Sequence, residues 1–501
     1  MLITAVLHLW GIQRDLPYVT EDAIFMSPAV RIAATGDLNP REFGNPGSTL
    51  IYPLAAIFHV WNGVAHGGSL LHANPNVQSR FKSEPGEFYL LARLLTVAYA
   101  VASVPLVYLI GRPAFGDTGA LIGALFAALH PTEVFDKRVR TDSASLFFGL
   151  LGLWGCLRLY ERRMLADQIF AGAAIGLAIA SKYYLGTLVG VLVVVDLLIW
   201  WRQRTARVWI GAAAGLFAVA LAFALSTPYF LLDYATASKS LQVQLRTAHP
   251  GADGLSPTGN LLWYLSFALP NTLSWPQTAA AVVGIALLLW RRTPQALLLL
   301  LFSVLFVIGI SRHGLHWQRW LIPICPVLAL FAASALEMTA ARVAALLRLP
   351  RTAQLGLIAL GAVLLVAQPA RQVIALDRRY ARLSTYVLAR QWVEEHLPAG
   401  SRMAYEWETL PPPLTKKLTE IPMSYLSVRQ TLDYYSSHGV RFLVTSSVWY
   451  AYYPANAAQY PAQAAFYQQL LSEGHLLHTV ESSGNEGPEI RIYEIGSRAP
   501  G

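Results

Sequence analysis

Apolar runs of near-bilayer length recur along the first three-quarters of this sequence, joined by short arginine-bearing connections, and that pattern leaves few folds open. A run of about 20 apolar residues crosses a hydrocarbon core as a helix. Backbone in lipid must satisfy its own hydrogen bonds, and a helix does so within one segment. Such runs lie at 88–111, 117–132, 142–160, 167–181, 184–201, 207–226, 276–290, 295–311, 318–338 and 352–369, after a shorter one at Leu2–Trp10. The expectation is an α-helical polytopic membrane protein of about eleven transmembrane helices. Leu2–Trp10 is short for a crossing and lacks the basic flank and small-residue cleavage site of a secretory signal, so a truncated first helix is expected there.

Charge sets the expected orientation. Arg112, the group Arg158, Arg162 and Arg163, the group Arg202, Arg204 and Arg207, the pair Arg291 and Arg292, and the group Arg342, Arg348 and Arg351 fall in alternate connections. The positive-inside rule makes those connections cytoplasmic. The N-terminus is then cytoplasmic in the plasma (inner) membrane, and the loops 15–87 and 227–262 and everything after 370 are extracytoplasmic. This placement accounts for the formal net charge of +9 without a nucleic-acid partner. Both cysteines, Cys156 and Cys325, sit inside apolar runs as small core residues and give no sign of a redox compartment.

Two domains are expected: residues 1–370, a transmembrane domain with a long first outer loop at 15–87, and residues 371–501, a soluble extracytoplasmic α/β domain. In the loop, Ala23–Ala34 reads as a short helix and Leu50–Trp61 as an interfacial one behind the turn Asn45–Ser48. In the second domain helices at Leu383–His396, Val428–His438 and Tyr460–Glu473 alternate with strands at Arg402–Glu406, Val440–Ser446, Leu476–Val480 and Glu489–Ile495. That alternation reads as a small α/β sandwich, with no nucleotide-type glycine loop and with recognition as its default role.

Polar residues gather at the expected outer ends of the spans. Glu21 and Asp22 are adjacent acids after the first run; Thr20 or Asp22 reads as the cap of a helix from Ala23, a role that does not exclude chemistry because a cap also fixes a carboxylate in space. His130 to Asp142 holds a second acidic cluster, in which Thr141 or Asp142 capping the next span is the simpler account, with Arg140 as a salt-bridge partner. Lys182 separates two spans with almost no loop and either snorkels to the interface or meets an anionic lipid head group. Arg312, His313, His316, Trp317, Arg319 and Trp320 form a third node. Histidines and acids from several loops could gather a divalent metal, but no close pair spacing supports one.

These residues carry a resemblance. Leu16-Pro17-Tyr18 with Glu21-Asp22, Asn45-Pro46 with Tyr52-Pro53-Leu54, Ala92-Arg93-Leu94-Leu95, His130-Pro131 with Arg140-Thr141-Asp142, Ala180-Ser181-Lys182-Tyr183 and Trp317 to Pro323 follow one another in the order of a known series. Over about residues 1–370 the chain resembles the GT-C superfamily of integral-membrane glycosyltransferases, in the branch of protein O-mannosyltransferases and the aminoarabinose transferase of lipid A. The resemblance implies transfer of a sugar, with inversion, from a polyprenyl-phosphate carrier to an acceptor hydroxyl on the extracytoplasmic side, the acceptor being a glycan, lipid or protein. It implies Asp22 as general base with Glu21 as alternate, since the order of the two acids is reversed here, and Asp142 orienting the acceptor or an arginine. Arg140, Lys182, Arg319, His316 and Tyr52 are the implied substrate contacts, and Arg93 steadies the loop. The resemblance names no certain cofactor and leaves a divalent metal open. The rival reading, a transporter or flippase of lipid-linked substrates, expects internal repeats and midplane charges, and the sequence shows neither.

Overall fold

The computed structural model describes residues 1–19, 21, 23–130, 138–245, 255–407, 409–413, 417–429 and 431–496. The chain divides into two compact units. The first comprises Met1–Leu9, Asp22–Ser79 and Leu91–Leu376, and the second comprises Trp10–Glu21, Arg80–Leu90 and Asp377–Gly501.

The first unit is helical. Seven helices among the described residues are long and apolar enough to cross a membrane, or eight if Pro257–Leu273 and Trp275–Arg291, bent by 116°, form one span. The difference from about eleven expected spans has two sources. The runs 88–111 and 117–132 fall largely in one 44-residue stretch, Pro85–Ala128, counted once although its backbone breaks into two helices at Gly116 (φ 77°, ψ 178°). Leu2–Leu9 and Leu165–Ser181, of 8 and 17 residues, are helices that fall short in length. The expected short helices of the first loop form as Met26–Thr35 and Ser48–His66.

Small residues let the helices approach closely. Gly172 and Gly176, four apart on Leu165–Ser181, face the backbone carbonyls of Gly215 and Val219 on Arg207–Ser226, where any side chain would collide. Gly284 meets the carbonyl of Phe331 in the same way. In lipid no hydrophobic force joins helices, so such close backbone packing supplies the association.

The second unit is built on a five-stranded sheet ordered β2-β1-β3-β5-β4, with β1 Arg402–Glu406, β2 Thr419–Met423, β3 Phe442–Ser446, β4 His475–Val480 and β5 Ile490–Glu494. β1 is parallel to β2 and β3, and β5 is antiparallel to β3 and β4. Alternation along the strands makes the two faces. Met403, Phe442, Val444, Ile490 and Ile492 pack on the helix Thr385–His396, and Ala404, Leu443 and Tyr493 pack on Leu432–Ser437 and Pro461–Glu473. The strand absent from the sequence reading is β2, an edge strand that carries Pro422 and only two alternating apolar residues, Ile421 and Met423.

Trp10–Glu21 is docked within this unit. The buried Asp15 carboxylate accepts from the Ser384 backbone N–H at 2.9 Å, at the start of the helix Thr385–His396. Arg14 pairs with Asp15 and with Glu486 and stacks on Tyr380 at 4.2 Å. Tyr18 donates its hydroxyl to Glu394 at 3.1 Å.

Candidate active site

The helix Asp142–Arg162 begins on its own acid. Its N-cap residue, Thr141, makes no side-chain capping bond. The Asp142 carboxylate instead receives the Lys182 ammonium, and only 4% and 11% of these two side chains are exposed. Both simpler expectations therefore give way: Asp142 does not serve as a cap, and Lys182 does not snorkel to the surface. Lys182 reaches Asp142 because its backbone is extended (φ −155°, ψ 126°) between the helix Leu165–Ser181 and the 3-10 turn Tyr183–Gly186.

Neighbouring hydroxyls tie this pair to other elements. Thr49 and Ser181 lie 2.7 Å apart through their Oγ atoms, and Tyr99 donates to the Thr49 carbonyl at 2.8 Å. Ser145 Oγ donates to the Asp142 carbonyl at 2.7 Å. On the other side Lys182 Nζ lies 5.4 Å from the Tyr184 ring centroid. Tyr184 meets Phe306 edge-on at 5.4 Å and Trp320 at 5.9 Å, and Trp320 meets His313 at 4.8 Å. An aromatic relay thus joins the ion pair to the third polar node.

Within that node the Arg319 guanidinium lies 5.0 Å from the Trp317 ring, and His316 packs on Trp263 at 4.3 Å. Trp317 N–H donates to Tyr264 Oη at 3.3 Å, and Asn260 Nδ2 donates to the His313 carbonyl at 2.9 Å. Arg140, half-buried, precedes Asp142 by two residues. Tyr52 is turned to a different partner, donating to the Leu38 carbonyl at 3.0 Å. His130 is buried, and among the described residues neither of its ring nitrogens has a hydrogen-bond partner.

Of the expected residues, then, Asp142 and Lys182 are in direct contact, and Arg319 and His316 share the segment the relay reaches. Glu21 belongs to the second unit. Asp22 and Thr20 lie outside the described residues, as do Glu133 and Asp136. The helix that follows Asp22 starts at Met26, with Phe25 as N-cap and no side-chain capping bond. Thr49, Tyr184 and Asn260 went unassigned in the sequence. Tyr184 adjoins Lys182 and could have been suspected, whereas the pairing of Thr49 with Ser181 across 132 positions leaves no local signal. No group of three or more His, Cys, Asp or Glu side chains among the described residues could hold a metal ion.

The family model of dolichyl-phosphate-mannose-protein mannosyltransferases matches residues 88–230, which contain Arg140, Asp142 and Lys182. Among solved structures, ArnT from Cupriavidus metallidurans bound to undecaprenyl phosphate superposes with a TM-score of 0.54 at 15% identity, over 98% of this chain and 97% of that one. The archaeal oligosaccharyltransferase AglB from Archaeoglobus fulgidus, in complex with an inhibitory peptide and a dolichol-phosphate, gives 0.53 at 12% identity, over 97% and 73% of the two chains. No curated protein matches the sequence. The chain thus has the GT-C fold of integral-membrane glycosyltransferases, as the series of motifs implied, and is a multi-pass membrane protein.

Proposed function

We propose that this protein is a glycosyltransferase that moves a sugar from a polyprenyl-phosphate carrier to an acceptor hydroxyl, on the extracytoplasmic side of the plasma (inner) membrane. The observation that carries the reading is the buried Asp142–Lys182 pair at one end of the helical unit, linked by aromatic rings to the segment bearing Arg319. Charged groups in a membrane unit are costly, and a paired set at a helix end is a functional-site hypothesis. The solved structures of similar fold, described as bound to undecaprenyl phosphate and to a dolichol-phosphate, support a lipid-phosphate donor.

The chemistry needs a base and cations. The acceptor oxygen attacks the anomeric carbon as the bond from that carbon to the carrier phosphate breaks, and a single displacement inverts the centre. The acceptor proton goes to a carboxylate, for which Asp22 is the proposed base and Glu21 the alternate. The departing polyprenyl phosphate is already anionic and needs no acid. It needs positive charge, which Lys182, Arg140 and Arg319 supply. In this reading Asp142 holds the Lys182 ammonium in place, His316 contributes to the donor site, and Tyr52 acts through the Leu38 loop that its hydroxyl holds.

The test is carrier cleavage by the full chain in nanodiscs, across a panel of polyprenyl-phosphate sugars with envelope extracts as acceptor. Native protein is compared with Asp22→Asn, Glu21→Gln, Asp142→Asn and Lys182→Gln. Loss with Asp22→Asn alone of the first two assigns the base, and loss with Glu21→Gln alone reverses that assignment. Absence of turnover with every carrier would sink the enzyme reading in favour of transport.

A further inference from the structure

The second unit contains an open cleft of about 450 Å³, well within the range of small-molecule sites at roughly 300–1,000 Å³. One wall is the helix Thr385–His396, which contributes Gln391, Trp392 and Glu395. The other is the end of β4 and the turn after it, which contribute His478, Glu481 and Asn485. The Trp392 indole lies parallel to the His478 imidazole, with centroids 4.8 Å apart and planes 1° apart, and also stacks on His396 at 4.7 Å. Rings stacked in this way hold one another in place at the cleft wall.

The lining chemistry selects a ligand class. A carboxylate stands on each wall, an amide stands on each wall, and no lysine or arginine lines the cleft. Phosphates, anionic lipid head groups and nucleic acids are repelled by such a lining. Carboxylates accept from pairs of hydroxyl or ammonium donors, while amides both donate and accept. Trp392 and His478 also line the cleft and offer ring atoms against which the C–H groups of a pyranose can pack. A basic peptide would engage the two acids and could meet the amides through its backbone, and the oligolysine control below separates that occupant from a saccharide.

We infer that this cleft binds a neutral or amine-bearing oligosaccharide. Taken with the glycosyltransferase reading, on which the word acceptor rests, it names the acceptor class as a glycan. The elements that form the cleft also hold the segment leading to the acidic pair: Glu394, beside Glu395, receives Tyr18, and Glu486, beside Asn485, receives Arg14.

The experiment measures equilibrium binding of fluorescent oligosaccharides to the full chain in nanodiscs, with neutral hexose oligomers, N-acetylated amino-sugar oligomers and their amine-bearing counterparts as probes and oligolysine as the peptide control. Native protein is expected to bind at least one saccharide series. Glu481→Gln and Gln391→Ala, both changes at solvent-accessible side chains, are expected to weaken that binding at least tenfold, and Trp392→Phe less so. No saccharide binding, binding unchanged in Glu481→Gln and Gln391→Ala, or binding of oligolysine alone overturns the inference. Carrier cleavage with envelope extracts as acceptor is followed in parallel. Saccharide binding that depends on the cleft while cleavage is absent would leave this inference standing and remove the catalytic one.

Discussion

Two buried charges paired with each other set the energetics around Lys182. Breaking a buried pair by removing one member leaves an uncompensated charge and costs about 3–5 kcal/mol, whereas replacing both members is often close to neutral. Lys182→Met is therefore expected to lower the thermal unfolding midpoint more than the double variant Asp142→Asn with Lys182→Met. Calorimetry or fluorescence unfolding in one detergent checks this, and equal effects of the two variants would show that the pair is not coupled. Carrier cleavage should be lost in both, because neither offers an ammonium to the leaving phosphate. The residue identities at this site were legible in the sequence as candidates, since acids and bases among apolar spans stand out. Their pairing was not. Thr141-Asp142 has the local pattern of a helix cap, and only the fold places Lys182 within reach of that carboxylate.

At the level of elements, backbone proximity and burial decide what can be changed. A side chain at Gly176 would be driven into the Val219 carbonyl, so Gly176→Leu should separate Leu165–Ser181 from Arg207–Ser226 and sharply reduce folded protein recovered from membranes. Gly186 has nothing within reach of an added Cβ and a helical φ of −54°, so Gly186→Ala should be recovered like the native chain. Size-exclusion profiles of the two variants make the comparison, and equal recovery would remove the close-packing argument. β1 offers a different handle. It ends on Glu406, fully buried, whose carboxylate accepts from Tyr467 Oη, Thr445 Oγ1 at 2.7 Å and the N–H groups of Ser446 and Leu426 at 3.0 and 3.3 Å. Burial raises its pKa to about 7 despite these donors. The folded unit then holds a proton that the unfolded chain releases above about 4.5, so this group's contribution is full below that pH and falls as pH rises through 7, by up to roughly 3 kcal/mol. Urea unfolding between pH 5 and 8 should show native stability falling relative to Glu406→Gln, and a constant difference would contradict the shift. Helices and strands such as Arg402–Glu406 were readable from periodicity. The edge strand Thr419–Met423 was not, because its pairing with β1 supplies what its own residues do not.

For the molecule as a whole, the arginines carry more than orientation. Arg163, Arg204 and Arg292 adopt left-handed conformations (φ 56°, 51° and 54°) as the C-caps of Asp142–Arg162, Thr187–Gln203 and Trp275–Arg291. A cation there meets the negative end of the helix dipole, so the same residues end the helices and bias their insertion. Asp142 begins the helix that Arg163 ends, which puts the candidate site at the end of the unit away from these arginines. The positive-inside pattern therefore predicts that the site, and the unit built on the sheet, lie on the extracytoplasmic side. Cysteine labelling tests this cleanly, because Cys156 and Cys325 are both free and fully buried and should stay silent. Gln203→Cys and Ser482→Cys place single thiols at exposed positions, one beside Arg204 and one in the turn between β4 and β5. A membrane-impermeant maleimide should label Ser482→Cys in intact cells and Gln203→Cys only once the membrane is opened. The opposite pattern would place the site on the cytoplasmic side, and labelling of both in intact cells would mean that residues 203 and 482 do not lie on opposite sides of a membrane.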